Sequence, residues 1–385
     1  MIGNLGTTCI SLTFFLVLQG CSRLPAFDDG ECGTCDVWGG DERKEAFEVT
    51  HPNLKKAIDA TAVIFYGETR EDGGDGIFLE VEPRLINTYA EGSQRFCPEV
   101  RFANQYGFAD NCGGILVAPD LMATAMHCVF FQIVEEDDGA VSCRGINIAF
   151  GYQVNSDGEA PRTIPKKDVY GCETVLAFEP QDFHFNLDGD FALIKLDRTV
   201  TDREPVDVDY DRPSSESESS VLGFPYGMPM KWASGKTAKR YFTDKYLVEN
   251  AAQGWKSTSD IYWDEHRLSG YIPIQSDVFI GNSGGPLLDS ATGKLQGVVS
   301  HGSFKTLGAN VSAPFEEPSV TFSEPHEDIN SYMYDDERGC IRALDCEAPD
   351  VLCQSHAKAE SLSRYRHHME AVSYTHLTLP TTPYV

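Results

Sequence analysis

Basic residues are scarce in this 385-residue chain: 31 Lys and Arg stand against 59 Asp and Glu, a net charge of −28. That balance argues against a nucleic-acid partner, which is held by cations that displace its counterions. It suits a soluble, self-repelling protein outside the cytoplasm. Long apolar stretches are missing too. The run Ile10–Leu18 has the length of a signal h-region and is too short to span a bilayer as a mature helix, and no Lys or Arg precedes it. No pair of Cys-x-x-Cys knuckles occurs, which speaks against a zinc site, although Cys32-x-x-Cys35 or the trio Cys340, Cys346 and Cys353 would be the residues to supply one. No metal and no cofactor are expected. There is no short-period repeat, and few stretches have helical spacing.

What is present starts with a targeting segment over residues 1–21. It ends Leu18-Gln19-Gly20-Cys21, which resembles a bacterial lipobox with an atypical Gln. Three readings stay open: a lipid on Cys21, an ordinary cleaved signal, or no export. Membrane contact is expected only through that lipid, and the protein is expected to be exported, whether extracellular, periplasmic or anchored to the outer membrane. Setting aside Cys9 and Cys21, ten of the 12 cysteines remain, an even number behind an export signal, which reads as up to five disulfides.

Residues 22–55 read as a tether or propeptide, 56–372 as one domain, and 373–385 as a translated cloning scar or a short native tail. At 41% hydrophobic residues the chain can bury one large core or two smaller ones. Lys55 to Tyr66 starts helix-like and turns into a strand signal at Thr61. From Cys112 onward the texture is short β runs between turns: Gly114–Val117, Ile146–Phe150, Thr174–Phe178, Phe191–Leu196, Ser220–Phe224, Tyr271–Ile274 and Leu295–Val299. This pattern predicts an all-β fold. Asp211 to Ser220 breaks it and is a candidate link between two halves. Gly308 to Arg338 reads as a long acidic surface loop. Ala357 to Val372 has helical spacing, with Leu362, Tyr365 and Met369 on one face, and predicts a C-terminal helix.

The stretch with most chemistry is Gly281-Asn282-Ser283-Gly284-Gly285-Pro286. Glycines allow a sharp turn with bare amides. Those of Gly281 and Ser283 are candidates to face a developing oxyanion. A serine hydroxyl becomes a competent nucleophile only when a base takes its proton. Most of the ten histidines lie in polar surroundings. His127 differs, closing the β segment Ala123-Thr124-Ala125-Met126-His127-Cys128.

These residues carry a family resemblance. Cys112-Gly113-Gly114 with Thr124-Ala125-Met126-His127-Cys128 resembles the histidine motif of trypsin-like serine peptidases, with Met126 where Ala is usual. Asp190-Phe191-Ala192-Leu193 resembles the aspartate motif, and Gly281 to Pro286 the serine motif, in the family's order. The resemblance implies two six-stranded antiparallel β-barrels of the chymotrypsin type, about 60–210 and 218–310, with a cysteine-containing extension and helix to 372. It implies His127 as base, Asp190 as its orienting acid, Ser283 as nucleophile, and the Gly281 and Ser283 amides as oxyanion hole, acting on protein or peptide substrates. Asp188 is a rival acid that lacks the Phe-Ala-Leu context. Disulfides Cys112–Cys128 and Cys143–Cys172 are implied, with Cys97 bridging to a distant cysteine such as Cys340, Cys346 or Cys353.

Gly40-Asp41-Glu42-Arg43, Gly223-Phe224-Pro225-Tyr226-Gly227-Met228-Pro229-Met230-Lys231 and Asn282 resemble the bacterial, glutamyl-endopeptidase-like branch. Asp277, Ser300 and Gly302 fall where the family builds its substrate pocket. Asp277 would then select Lys or Arg, or it is a structural carboxylate capping loop amides; His301 stands one position from the histidine that Glu-selective relatives use. A catalytically silent scaffold on the same fold is the competing reading. An α/β-hydrolase esterase would need the order Ser, acid, His and alternating helices, which this sequence lacks. Nothing in the pattern sets an oligomeric state.

Overall fold

The computed structural model describes residues 42–79, 82–83, 85–88, 92–107, 111–130, 132, 134–135, 141–143, 145–178, 190–214, 216–237, 271–279, 281–301, 332–335, 337–343, 357–362, 366 and 369. The leader with Cys9 and Cys21, Cys32, Cys35, Cys346, Cys353, Asp188, Gly302 and the tail 373–385 lie outside the described residues.

The order begins with β1 (Lys44–Glu45), a short 3-10 turn and α1 (Pro52–Ala60). α1 has Pro at its first turn, where no amide partner is lost, and buries Leu54, Ala57 and Ile58 on one face. It ends directly in β2 (Thr61–Tyr66), whose Thr61 hydroxyl donates to Ala57 O at 2.7 Å. Residues 61–65 are all buried, the pattern of a strand covered on both faces. β3 (Asn111–Ala118), β4 (Leu121–Thr124), β5 (Ile146–Phe150), β6 (Val169–Phe178) and β7 (Ala192–Leu196) follow. With β2 they form a closed antiparallel barrel in the order β4-β7-β6-β5-β2-β3.

The second half is a seven-stranded sheet. Its strands are β8 (Glu218–Gly223), β9 (Lys231–Thr237), β10 (Tyr271–Ser276), β11 (Pro286–Asp289), β12 (Leu295–His301) and β13 (Ala357–Ser361), together with β1, in the order β1-β9-β8-β11-β12-β13-β10. β10 also pairs with β9, so the ladder returns to a strand it has already used. The fold is therefore all-β as expected. The second half differs from a plain six-stranded barrel by the added strand β1, and its ring of pairings is completed by β13.

β13 corrects the expected helix. Ala357–Ser361 is a strand, paired with β10 and β12. Among the described residues that follow, Arg366 and Met369 have helical backbone. Leu362 and Met369 are buried in the main core, as the apolar spacing required. Ala-Lys-Ala-Glu-Ser favours helix by propensity, but two open sheet edges outweigh that preference. Two further stretches also differ from the sequence reading. Tyr332–Asp335 and Cys340–Ala343 form a hairpin at the end of the stretch read as loop. Residues 42–55, read as tether or propeptide, are packed: Arg43, Ala46, Val49 and Leu54 are buried.

One apolar cluster runs through both halves, from Leu54, Ile64 and Phe150 to Leu222, Leu288, Val298 and Leu362. A smaller one gathers Phe96, Cys97, Val100, Tyr226, Met228 and Phe279. The Cys97–Cys340 disulfide, and Arg338 on Glu99, tie the distal hairpin to it.

Candidate active site

His127 and Asp190 flank neighbouring strands of the barrel. β4 pairs with β7 so that Thr124 faces Ala192. Asp190 precedes β7, and after Thr124 the chain turns through Ala125 and Met126 into α2 (His127–Phe130). Strand register thus brings residues 127 and 190 together. Asp190 is fully buried. Its Oδ1 accepts the His127 amide at 2.9 Å, and its Oδ2 lies 2.7 Å from His127 Nδ1. The Ser300 hydroxyl donates to the same Oδ2 at 2.6 Å. A buried carboxylate that accepts from several donors is fixed in place. His127 keeps 32% of its side chain exposed, so its ring is anchored on one edge and accessible elsewhere. Burial disfavours the imidazolium, but the charge and hydrogen bond of Asp190 outweigh that, and the His127 pKa lies above its ordinary value.

The Cys112–Cys128 disulfide joins β3 to α2 immediately after His127. Cys143 and Cys172 form a second bridge in the same half. Among the described residues, Cys112, His127 and Cys128 form the one cluster of metal-ligand types, within 4.8 Å. Its sulfurs are joined to each other and are not the thiolates zinc requires.

The glycine-rich turn packs against this corner. Gly113 N donates to Ser283 O at 2.6 Å. A Cβ on Gly284 would come within 2.2 Å of Thr124 Oγ1 and 2.3 Å of Gly113 O, and Gly284 has φ +74°, so this position requires glycine twice over. Ser283 is half-buried. Within the turn the amides of Asn282, Gly284 and Gly285 donate to Phe279 O, Val299 O and Asn282 O at 3.0, 2.7 and 2.9 Å. The amides of Gly281 and Ser283 have no acceptor among the described residues.

The structure gives several residues definite partners. Ser300, read as pocket wall, turns its hydroxyl onto Asp190. Asp277, read as a pocket floor or a capping carboxylate, is buried, and its Oδ2 accepts the Glu42 amide at 3.0 Å. Asn111 was not singled out at all. Its Nδ2 donates to Phe224 O at 3.0 Å and Gly281 O at 3.1 Å, clamping the start of the serine turn to the end of β8. Its only sequence signal is its place before Cys112. Arg43 is fully buried, with its guanidinium 4.0 Å from the centroid of the Phe279 ring.

The family model described as Trypsin matches residues 87–317. The chain is 29% identical over 217 residues to the thrombin-like enzyme acutin of Deinagkistrodon acutus, spanning 53% of this chain and 77% of that protein. It is 26% identical over 209 residues to kallikrein 1-related peptidase b21 of Mus musculus, spanning 52% and 74%. Among solved structures, a Glu endopeptidase in complex with MPD aligns over 88% of this chain and 98% of that chain, at 13% identity and a TM-score of 0.42.

Proposed function

Given that the chain belongs to the trypsin family and is a serine endopeptidase, we propose that it cuts protein or peptide substrates through an acyl-enzyme formed on Ser283, with His127 as general base and Asp190 as its orienting acid. His127 Nε2 takes the Ser283 proton as Oγ attacks the acyl carbon. It then gives that proton to the leaving amine, and a water repeats the cycle to free the acid. Asp190 holds Nδ1–H and so keeps the reactive Nε2 edge turned outward. The Gly281 and Ser283 amides receive the oxyanion, each donor of this kind being worth about 3 kcal/mol.

The observation that carries this reading is the buried Asp190–His127 pair at 2.7 Å, with the Ser283 turn docked on the residues leading into His127. We read Asp277 as a structural carboxylate, because Glu42 already occupies one of its oxygens. A preference for Lys or Arg substrates therefore does not rest on it. Among the residues that resemble the glutamyl-endopeptidase-like branch, Arg43 and Lys231 are both buried, and we retain that branch. Three disulfides among the described residues support export, and Cys21 remains the candidate for a lipid anchor.

A fluorophosphonate probe tests the reading. Folded protein is expected to be labelled at Ser283, and Ser283→Ala to abolish both labelling and peptide cleavage with its thermal melt nearly unchanged. Folded wild type that takes no label would favour the silent scaffold. Retained turnover in Ser283→Ala would remove the site assignment.

A further inference from the structure

The segment before the first helix packs against Asp277 and Phe279, just ahead of the serine turn. Arg43 is 1% exposed although it carries a permanent charge. Its guanidinium lies over the Phe279 ring at 4.0 Å and the Phe102 ring at 5.2 Å. Such stacking favours a planar, weakly hydrated cation over an ammonium. Phe279 in turn shapes the turn, since its carbonyl accepts the Asn282 amide, the residue between Gly281 and Ser283. One residue earlier in the segment, the Glu42 amide holds Asp277, two residues before Phe279. One short stretch of chain thus grips 277 and 279 together.

The grip is itself anchored. β1 pairs with β9 in the register Lys44↔Trp232 and Glu45↔Lys231. Lys231 Nζ is buried and donates to Glu45 Oε2 at 3.0 Å, Gln105 Oε1 at 2.8 Å and Pro229 O at 2.7 Å. A buried ion pair with further hydrogen bonds is a device for fixing register more than for adding stability. Here the register it fixes decides where Arg43 lies. The Cys97–Cys340 bridge holds the cluster that contains Phe279 and packs against Phe102.

We propose that Arg43 is a positioning residue for the serine turn, acting through Phe279, and that the segment from Glu42 must stay attached and docked for the site to be active. This rests on the Ser283 reading above. It implies that any removal of an N-terminal propeptide ends before Glu42, so the segment is part of the working enzyme and not of what is discarded.

The test measures the rate of fluorophosphonate labelling and the kcat and KM of peptide cleavage on the full secreted chain. Arg43→Ala is expected to lower labelling and kcat about tenfold, with KM little changed, because a cation–π contact is lost and turn geometry rather than binding suffers. Phe279→Leu should do the same, and the double variant should be no worse than either single one, the mark of residues acting as one unit. Ethylguanidinium in the buffer should restore part of the Arg43→Ala rate. If Arg43→Ala does not melt cooperatively, Arg43→Met, which keeps the length without the charge, carries the same expectation. Labelling within about twofold of wild type in the folded variant, or additive effects in the double variant, overturns the proposal. Loss of the underlying reading looks different: wild type itself would take no label, or Ser283→Ala would still turn over.

Discussion

The two halves of this molecule are built differently although both are antiparallel β. The barrel is drawn from one stretch, Thr61 to Leu196, and its interior is aliphatic: Ile64, Ile115, Leu116, Ile148 and Ile194 are fully buried. The second sheet is gathered from four separated stretches between Lys44 and Ser361. It buries Ser219, Ser220, Thr237, Ser276, Gln296, Ser300 and Ser361. Thr237 and Ser276 hydroxyls donate to Ser214 O and Ser234 O at 2.6 and 2.9 Å, and the Ser220 and Ser290 hydroxyls bond each other at 2.8 Å. Such bonds add on the order of 1 kcal/mol each but fix geometry closely. Both halves are packed around apolar residues, the second around Leu222, Ile274, Leu287, Leu288 and Val298. The half that carries His127 and Asp190 adds two disulfides, whereas the half that carries Ser283 adds strands from distant parts of the chain and buried hydroxyls, so it should be the easier half to disturb.

The largest effect is therefore expected at β13, which supplies a strand to the second sheet from far along the chain. Ala359 has no exposed surface. Ala359→Asp buries an unpaired charge and should cost about 3–5 kcal/mol, read from urea unfolding, with labelling of Ser283 lost under conditions where wild type is labelled. A variant as stable and reactive as wild type would show that the sheet does not depend on β13. In the barrel the comparable break is Cys112→Ser, expected to lower stability by about 2–4 kcal/mol. An unchanged melt would mean that apolar packing alone holds the His127 corner.

This difference also explains what could be read in advance. His127, Asp190 and Ser283 stand out because each sits in a local string whose residues are needed by the turn or strand beside it, as Gly284 is needed against Thr124. The barrel strands could be read because burial on both faces leaves apolar runs such as Thr61 to Tyr66. The second sheet was legible only in part. Lys44 finds Trp232, and Ala359 finds Ile272 and Val299, across separations that leave no local trace. Ala357 to Ser361 even carries the helical signal of its neighbours. Asn111 contributes through two backbone carbonyls, and an amide side chain before a cysteine announces neither. Asp277 could be read as a floor or as a cap, and its contact with the Glu42 amide, from a segment far away in sequence, left no local trace.

Asn111 joins the two halves and gives a smaller, sharper test. Asn111→Asp replaces a donor facing two carbonyls with a carboxylate. We expect roughly tenfold slower labelling and a stability loss of about 1–3 kcal/mol, since two carbonyls lose their donor and face a carboxylate. Full activity in Asn111→Asp would show that Gly281 is fixed by the sheet alone.

The smallest change is a displacement in pH, and it isolates the barrel's share of the chemistry. The His127 pKa is raised because the Asp190 charge and hydrogen bond outweigh burial. A raised pKa means that the imidazolium–carboxylate pair stabilises the fold fully below the ordinary histidine pKa, and that this contribution is lost as pH rises through the folded value. Catalysis runs the other way, because the base must be neutral. The acid limb of kcat/KM should therefore lie above about pH 6.5. Asp190→Asn removes the charge but keeps the shape, so whatever activity survives should have its acid limb at lower pH, because burial alone then governs the imidazole. Ser300→Ala removes one donor from Asp190 and leaves the charge. It should move the limb slightly upward, since a carboxylate with one fewer hydrogen bond holds the imidazolium more strongly. A limb that stays in place in both variants would mean that a group other than His127 sets the pH dependence.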